Sequence, residues 1–79
     1  MTEPSQGIHD LKREFGARLR FLRMQRQMTQ EQLAAASSIS VDFLSLIERG
    51  RTAPSFAKLE KLGRSLKVPI KELFNFDEE

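Results

Sequence analysis

Cysteine and tyrosine are both absent from the 79 residues, and histidine occurs once, at position 9. Without thiols there is no disulfide framework and no thiolate metal site. His9 sits in a polar N-terminal stretch with no partner constellation, so it reads as a surface residue and not as a catalytic base. No glycine-rich phosphate loop and no acid–base pair in a plausible cleft can be found, so the chain is not expected to be an enzyme. Nothing calls for a metal or another cofactor. No run approaches the ~20 apolar residues of a membrane span, and no signal peptide is visible. The expectation is a protein of the cytoplasm, one small domain that a second copy would help to stabilise.

What is present is charge, unevenly placed. The formal net charge is only +2. Four of the acidic residues, Glu3, Asp77, Glu78 and Glu79, lie at the ends, so residues 10–76 hold 13 basic and 7 acidic side chains, a net +6. A basic body of this kind suits a polyanionic partner, although a solvated surface would look the same.

The most informative stretch is Thr29 to Ile47, TQEQLAAASSISVDFLSLI. Thr29 with Gln32 three residues on forms a capping box, in which the hydroxyl accepts from a first-turn N–H and the amide reaches back. A helix follows from Gln30 to about Ala36, with Leu33, Ala34 and Ala36 giving a small inner face. Ser37-Ser38 breaks it, because serine competes for backbone hydrogen bonds. Ile39 anchors the turn. Ser40 caps a second helix, and Asp42 suits the positive end of its dipole. Leu44 and Ile47 share a face beside Phe43, leaving Val41, Asp42, Ser45, Leu46 and Arg49 to point elsewhere. Gly50 ends this helix, and Pro54 prevents its early renewal. Two short helices about a tight turn have the dimensions of a helix-turn-helix.

Gln30, Ala34, Ile39, Leu44 and Ile47, with the run SLIERG over residues 45–50 followed by Arg51 and Pro54-Ser55, resemble the signature of phage repressor and Cro-like helix-turn-helix regulators. The likeness covers roughly Phe15 to Phe74, and in size the chain is similar to the controller proteins of restriction–modification systems. The resemblance implies an all-α, compact five-helix bundle of the lambda-repressor-like type, with the helix-turn-helix at residues 29–49. It implies a dimeric repressor or controller that binds an inverted repeat in double-stranded DNA, with no small-molecule ligand domain. The same domain type also serves as a protein-interaction module in co-activators and antitoxins, and that reading stays open as the alternative. By position, base reading falls to Val41, Asp42, Ser45 and Leu46. None is the Arg, Asn or Gln that makes bidentate base contacts. Gln30 maps to a phosphate contact, and Arg49, Arg51 and Lys58 are further phosphate candidates. Arg23 and Glu48 match a buried ion pair that tethers the first helix to the third.

The rest of the chain is read around this centre. Residues 1–9 are expected to be a disordered arm and residues 77–79 an acidic tail, with the domain at 10–76. A first helix is expected from Asp10, as N-cap, to about Gln27. Its core stripe is Leu11, Phe15, Leu19 and Leu22, and Gly16 marks a close helix contact. Lys12, Arg13, Arg18, Arg20 and Arg26 mostly face away, either as an ordinary solvated face or, on the DNA reading, with one or two of them flanking phosphates. Phe21 lies off the stripe, and the sequence leaves open whether the arm or an assembly covers it. Gln27 and Ser38 stand where the family commonly has glycine. Ser55 caps a fourth helix with Phe56, Leu59, Leu62 and Leu66 as its apolar face and Gly63 at a close approach. Pro69 starts a short fifth helix, Ile70 to Phe74, with Leu73 in the core. Ile70, Phe74 and Phe76 exceed what so short a helix can hide and are the candidate dimer interface, with closure of a monomeric core as the alternative.

Overall fold

The computed structural model describes the backbone of residues 4–77 and the side chains of residues 11–77. Five helices follow one another without a strand among the described residues: α1 Pro4–Gln25, α2 Gln30–Ala36, α3 Val41–Glu48, α4 Phe56–Leu66 and α5 Ile70–Leu73. The caps read from the sequence form as expected. Thr29 and Gln32 make the reciprocal capping box, while Ser40 and Ser55 accept from the N–H groups of Phe43 and Lys58. One contiguous core gathers Phe15, Leu19, Leu22, Leu33, Ala34, Leu44, Ile47, Leu59, Leu62, Leu66 and Leu73.

Several expectations are corrected. α1 begins at Pro4, not at Asp10, so residues 4–9 are helix where an arm was expected. Proline fits a first helical turn, and composition alone misled here. Residues 1–3 and 78–79, and the side chain of His9, lie outside the described residues. Leu11 is exposed and stands outside the core cluster. Ala36 is exposed as well, so Leu33 and Ala34 alone form the buried side of α2. Phe56 is 86% exposed and not part of the core face. At ~100° per residue it stands roughly 90° away from the arc of Leu59, Leu62 and Leu66.

Arg18 is the largest departure. Expected on the outer face, it is fully buried. Its Nε donates to the carbonyl oxygen of Glu72 at 2.8 Å and its Nη2 to Glu72 Oε1 at 3.0 Å, fastening α5 to α1. The guanidinium also lies 5.5 Å from the centre of the Phe21 ring. That stacking, with partial burial against the core, accounts for Phe21 within the chain itself.

The C-terminal ends of α1, α2, α3 and α4 share one device. Met28 N–H donates to Arg23 O and Gln27 N–H to Met24 O; Ile39 to Ala34 and Ser38 to Ala35; Arg51 to Leu46 and Gly50 to Ile47; Val68 to Gly63 and Lys67 to Arg64. Each pair is a Schellman closure around one left-handed residue, which satisfies carbonyls the helix leaves open. The left-handed residues are Gln27 (φ 56°), Ser38 (φ 58°), Gly50 (φ 76°) and Lys67 (φ 60°). After each non-glycine one comes an apolar residue, Met28, Ile39 or Val68, packed on the core. Glycine is kept only where space demands it: a Cβ at Gly50 would stand 2.9 Å from the Cα of Arg13.

A left-handed conformation costs an L-residue about 1–2 kcal/mol. Gln27→Gly should therefore raise stability by up to ~1 kcal/mol, after the loss of unfolded-state restriction is subtracted. Gly50→Ala should lower it, through strain and the contact with Arg13. Chemical denaturation of the two variants checks the pair, and a stabilised Gly50→Ala would contradict the steric account.

Candidate nucleic-acid interface

α1 crosses the C-terminal half of α3 with the two backbones nearly touching. A Cβ on Gly16 would clash with the carbonyl oxygen of Ile47 and come within 2.8 Å of that of Glu48. Arg23 lies two helical turns further along the same face of α1. Its Nε donates to Glu48 Oε2 at 2.7 Å and its Nη2 to Glu48 Oε1 at 3.0 Å, a two-pronged ion pair with side chains 11% and 2% exposed. The third nitrogen, Nη1, donates to the carbonyl oxygen of Met28 at 2.7 Å. Gln30 Nε2 donates to Glu48 Oε1 at 3.0 Å. One carboxylate thus collects α1, the start of α2 and the end of α3, and the guanidinium closes the α1–α2 turn.

A second polar link joins α2 to α4. Ser37 Oγ, fully buried, donates to Ser65 Oγ at 2.9 Å, and Ser65 Oγ donates to the Lys61 carbonyl at 2.8 Å. Ser37 reads in the sequence only as a helix breaker. Nothing local marks Ser65 as its partner, 28 residues away.

These supports fix which side of α3 faces out. Leu44, Ile47 and Glu48 are turned inward. Asp42, Leu46 and Arg49 are exposed, while Val41 and Ser45 are half-buried, Val41 against the core. The four candidate base readers therefore divide: Asp42 and Leu46 stand at the surface, and Val41 and Ser45 flank it. Arg51 is exposed beyond the helix end, and Arg49 folds back so that its Nε donates to Ser45 O at 3.4 Å. Lys58 is half-buried, one turn into α4. Gln30 has one amide proton committed to Glu48. What it can offer outward is the backbone N–H of a first helical turn, which a helix leaves without an internal partner.

The apolar surface at the other end is more extensive than expected. Ile70 and Phe74 are 41% and 39% exposed and, with Phe56, Leu59 and Glu60, line a groove of about 310 Å³. Phe74 stacks on the buried Phe15 with ring centres 5.2 Å apart, and Phe76 meets it edge-on at 6.2 Å. Phe76 is itself partly buried on the core. Phe56 is the member of this surface that the sequence reading misplaced; its helical angle was the available signal.

A capped helix, a turn through a left-handed residue, and a second capped helix held rigidly with one face outward define a helix-turn-helix domain. The comparison with family models agrees: the model described as a helix-turn-helix domain matches residues 14–74. The chain belongs to the helix-turn-helix family of transcriptional regulators. It is 33% identical over 69 residues to the control protein C.MunI of a Mycoplasma species, a match covering 86% of this chain and 93% of that one. It is 43% identical over 60 residues to the transcriptional repressor RghR of Bacillus subtilis, covering 75% of this chain and 44% of the repressor. The chain spans less than half the length of several such regulators. Among solved structures, the restriction–modification controller protein C.AhdI of Aeromonas hydrophila superposes with a TM-score of 0.78 at 35% identity, covering 80% of this chain and 96% of that one. No helix among the described residues is long and apolar enough to cross a membrane.

Glu48→Ala should lower stability by ~3–5 kcal/mol, because Arg23 would keep its burial and lose its counter-charge. Arg23→Met with Glu48→Leu should recover most of that loss, since an apolar pair removes the desolvation cost. Urea unfolding of the single and double variants measures both. A double variant no better than Glu48→Ala would mean that the hydrogen bonds to Met28 and Gln30 carry the effect.

Proposed function

We propose that the protein is a DNA-binding transcriptional regulator that acts as a homodimer and reads an inverted repeat with α3. The observation that carries this reading is the outward face of α3: a helix pinned by a buried ion pair, presenting Asp42, Leu46 and Arg49 with Arg51 beside its exit. Base-edge contact falls to the first turns of such a helix in the major groove. Asp42 accepts from the amino group of cytosine; Leu46 and Val41 offer apolar contact to thymine methyls; Ser45 serves either purine or pyrimidine. Arg49, Arg51, Lys58 and the N-terminus of α2 at Gln30 supply the phosphate contacts that give affinity without sequence preference.

The groove of Phe56, Leu59, Ile70 and Phe74 is the surface through which two copies pair, with Phe76 backing it. In a two-fold dimer the same patch serves both partners. Recognition helices would then fall about 34 Å apart, on half-sites ~10 base pairs apart. A surface built for docking another protein would share the apolar groove but would have no use for Arg51 and Gln30.

Selection from a random duplex pool, with the retained complexes sized by light scattering, tests the reading. The expected outcome is an enriched inverted repeat with cytosine and thymine in each half-site, bound by two copies. Absence of any enrichment would overturn sequence reading by α3 and favour the docking module. Arg51→Ala should weaken binding to every duplex and flatten the salt dependence by about one unit in log K against log salt. An unchanged slope would remove Arg51 from the phosphate contacts.

A further inference from the structure

α5 is four residues long, too short to be stable as a helix by itself. Its position depends on what grips it. Leu73 is fully buried, and Phe74 stacks on Phe15. Ile70 lies against α4 at Gly63, where an added Cβ would stand 3.3 Å from Ile70 Cδ1. Apolar contacts of this kind press α5 inward but let it turn and slide. The grip of Arg18 is directional. Fully buried, it donates from Nε to the carbonyl oxygen of Glu72 at 2.8 Å and from Nη2 to Glu72 Oε1 at 3.0 Å. The first bond holds the main chain of α5 itself, so no rotation of the Glu72 side chain can absorb a shift.

The walls of the apolar groove are unequally anchored. Phe56 and Leu59 belong to α4, which roots Leu59, Leu62 and Leu66 in the core. Ile70 and Phe74 belong to α5 and its C-cap. Glu72 follows Ile70 by two positions, roughly 200° around a helix, so a link at Glu72 governs how far Ile70 turns toward solvent.

We infer that Arg18 is a positioning residue for self-association: through Glu72 it sets the rotation of α5, and with it the shape of the groove by which two copies pair. The inference rests on the pairing proposed above. Burying a guanidinium carries a desolvation penalty, and an apolar residue of similar length would fill the same space without it. What the charge adds is direction, because a guanidinium fork accepts few arrangements of its acceptors. A two-fold interface is sensitive to that direction, since any displacement of α5 is repeated on the partner. The outward face of α3 makes no use of the link, being held separately through Glu48.

The test is the dimer dissociation constant of the full chain, measured by sedimentation equilibrium. Glu72→Ala removes the carboxylate and keeps a good helix former; it should raise the constant about tenfold. Arg18→Met, apolar and unbranched, should do the same. Glu72→Gln still offers Nη2 an oxygen and should recover most of the loss. Ile70→Glu puts a charge in the groove and should leave the chain monomeric. A double-variant cycle separates positioning from mere stability. With Ile70 reduced to alanine, Glu72→Ala should weaken pairing far less than it does alone, because the wall it positions has gone. Losses that simply add would overturn the inference. So would a constant within about twofold of wild type in Glu72→Ala beside a monomeric Ile70→Glu, and that result would leave the pairing itself standing. Should Arg18→Met fail to fold, Glu72→Ala decides alone, at a side chain already 33% exposed. A wild-type chain that stays monomeric at every concentration would overturn the pairing and this inference with it.

Discussion

The carboxylate of Glu48 is the point to which the first three helices are tied. It accepts from Arg23 twice and from Gln30 once, and the same guanidinium holds the Met28 carbonyl. An ion pair this buried does little for net stability, because desolvating both charges offsets much of their attraction. What it supplies is geometry. Three directional hydrogen bonds on that carboxylate fix the rotation of α3 about its axis and its tilt against α1. Greasy contacts between Leu19, Leu44 and Ile47 would tolerate several arrangements, but the fork of a guanidinium on a carboxylate tolerates few. The close backbone contact at Gly16 sets the distance at which this fork can form.

Around that centre the fold accepts strain at its turns. Three of the four Schellman closures use a non-glycine left-handed residue, each followed by an apolar anchor. The anchors explain how Gln27, Ser38 and Lys67 are held there: burying Met28, Ile39 or Val68 offsets the local cost. At Gly50 the next residue is Arg51, which is exposed and brings no such burial. Sterics and energetics therefore agree on glycine at that one turn.

The sequence makes legible whatever depends on near neighbours. The caps at Thr29, Ser40 and Ser55, the turn at Ser37-Ser38, and the buried faces of α2 and α3 all follow from spacing over a few residues. The Arg23–Glu48 pair was legible only through family resemblance, since nothing in either residue's surroundings calls for the other. Partners far apart in the chain were not legible at all. Arg18 and Glu72 are 54 positions apart, and the burial of Arg18 depends on where α5 docks. Leu11 fails in the opposite sense: its periodicity is right, yet it stands outside the core. Of the candidate interface, Asp42, Leu46, Arg49 and Arg51 stand at the surface as read, and Gln30 is half committed to Glu48.

If α3 reads bases as proposed, rigid support matters more here than it would for a helix armed with stronger readers. A guanidinium or carboxamide that bonds a base edge in two places tolerates small errors in helix position, because its own geometry finds the match. Leu46 and Val41 have no such correction. An apolar contact loses a quarter to a half of its attraction when a gap of 0.5–1 Å opens, on the order of the slack a loosely packed helix allows. Asp42 is penalised by any drift toward a phosphate. On the proposed reading, discrimination by α3 therefore depends less on the reach of its side chains than on how closely Glu48, Gly16 and the Ser37–Ser65 link confine the helix. On the same reading, the arginines that would supply affinity can sit on the rim at the exit of α3, because charge acts over distances that apolar contact does not.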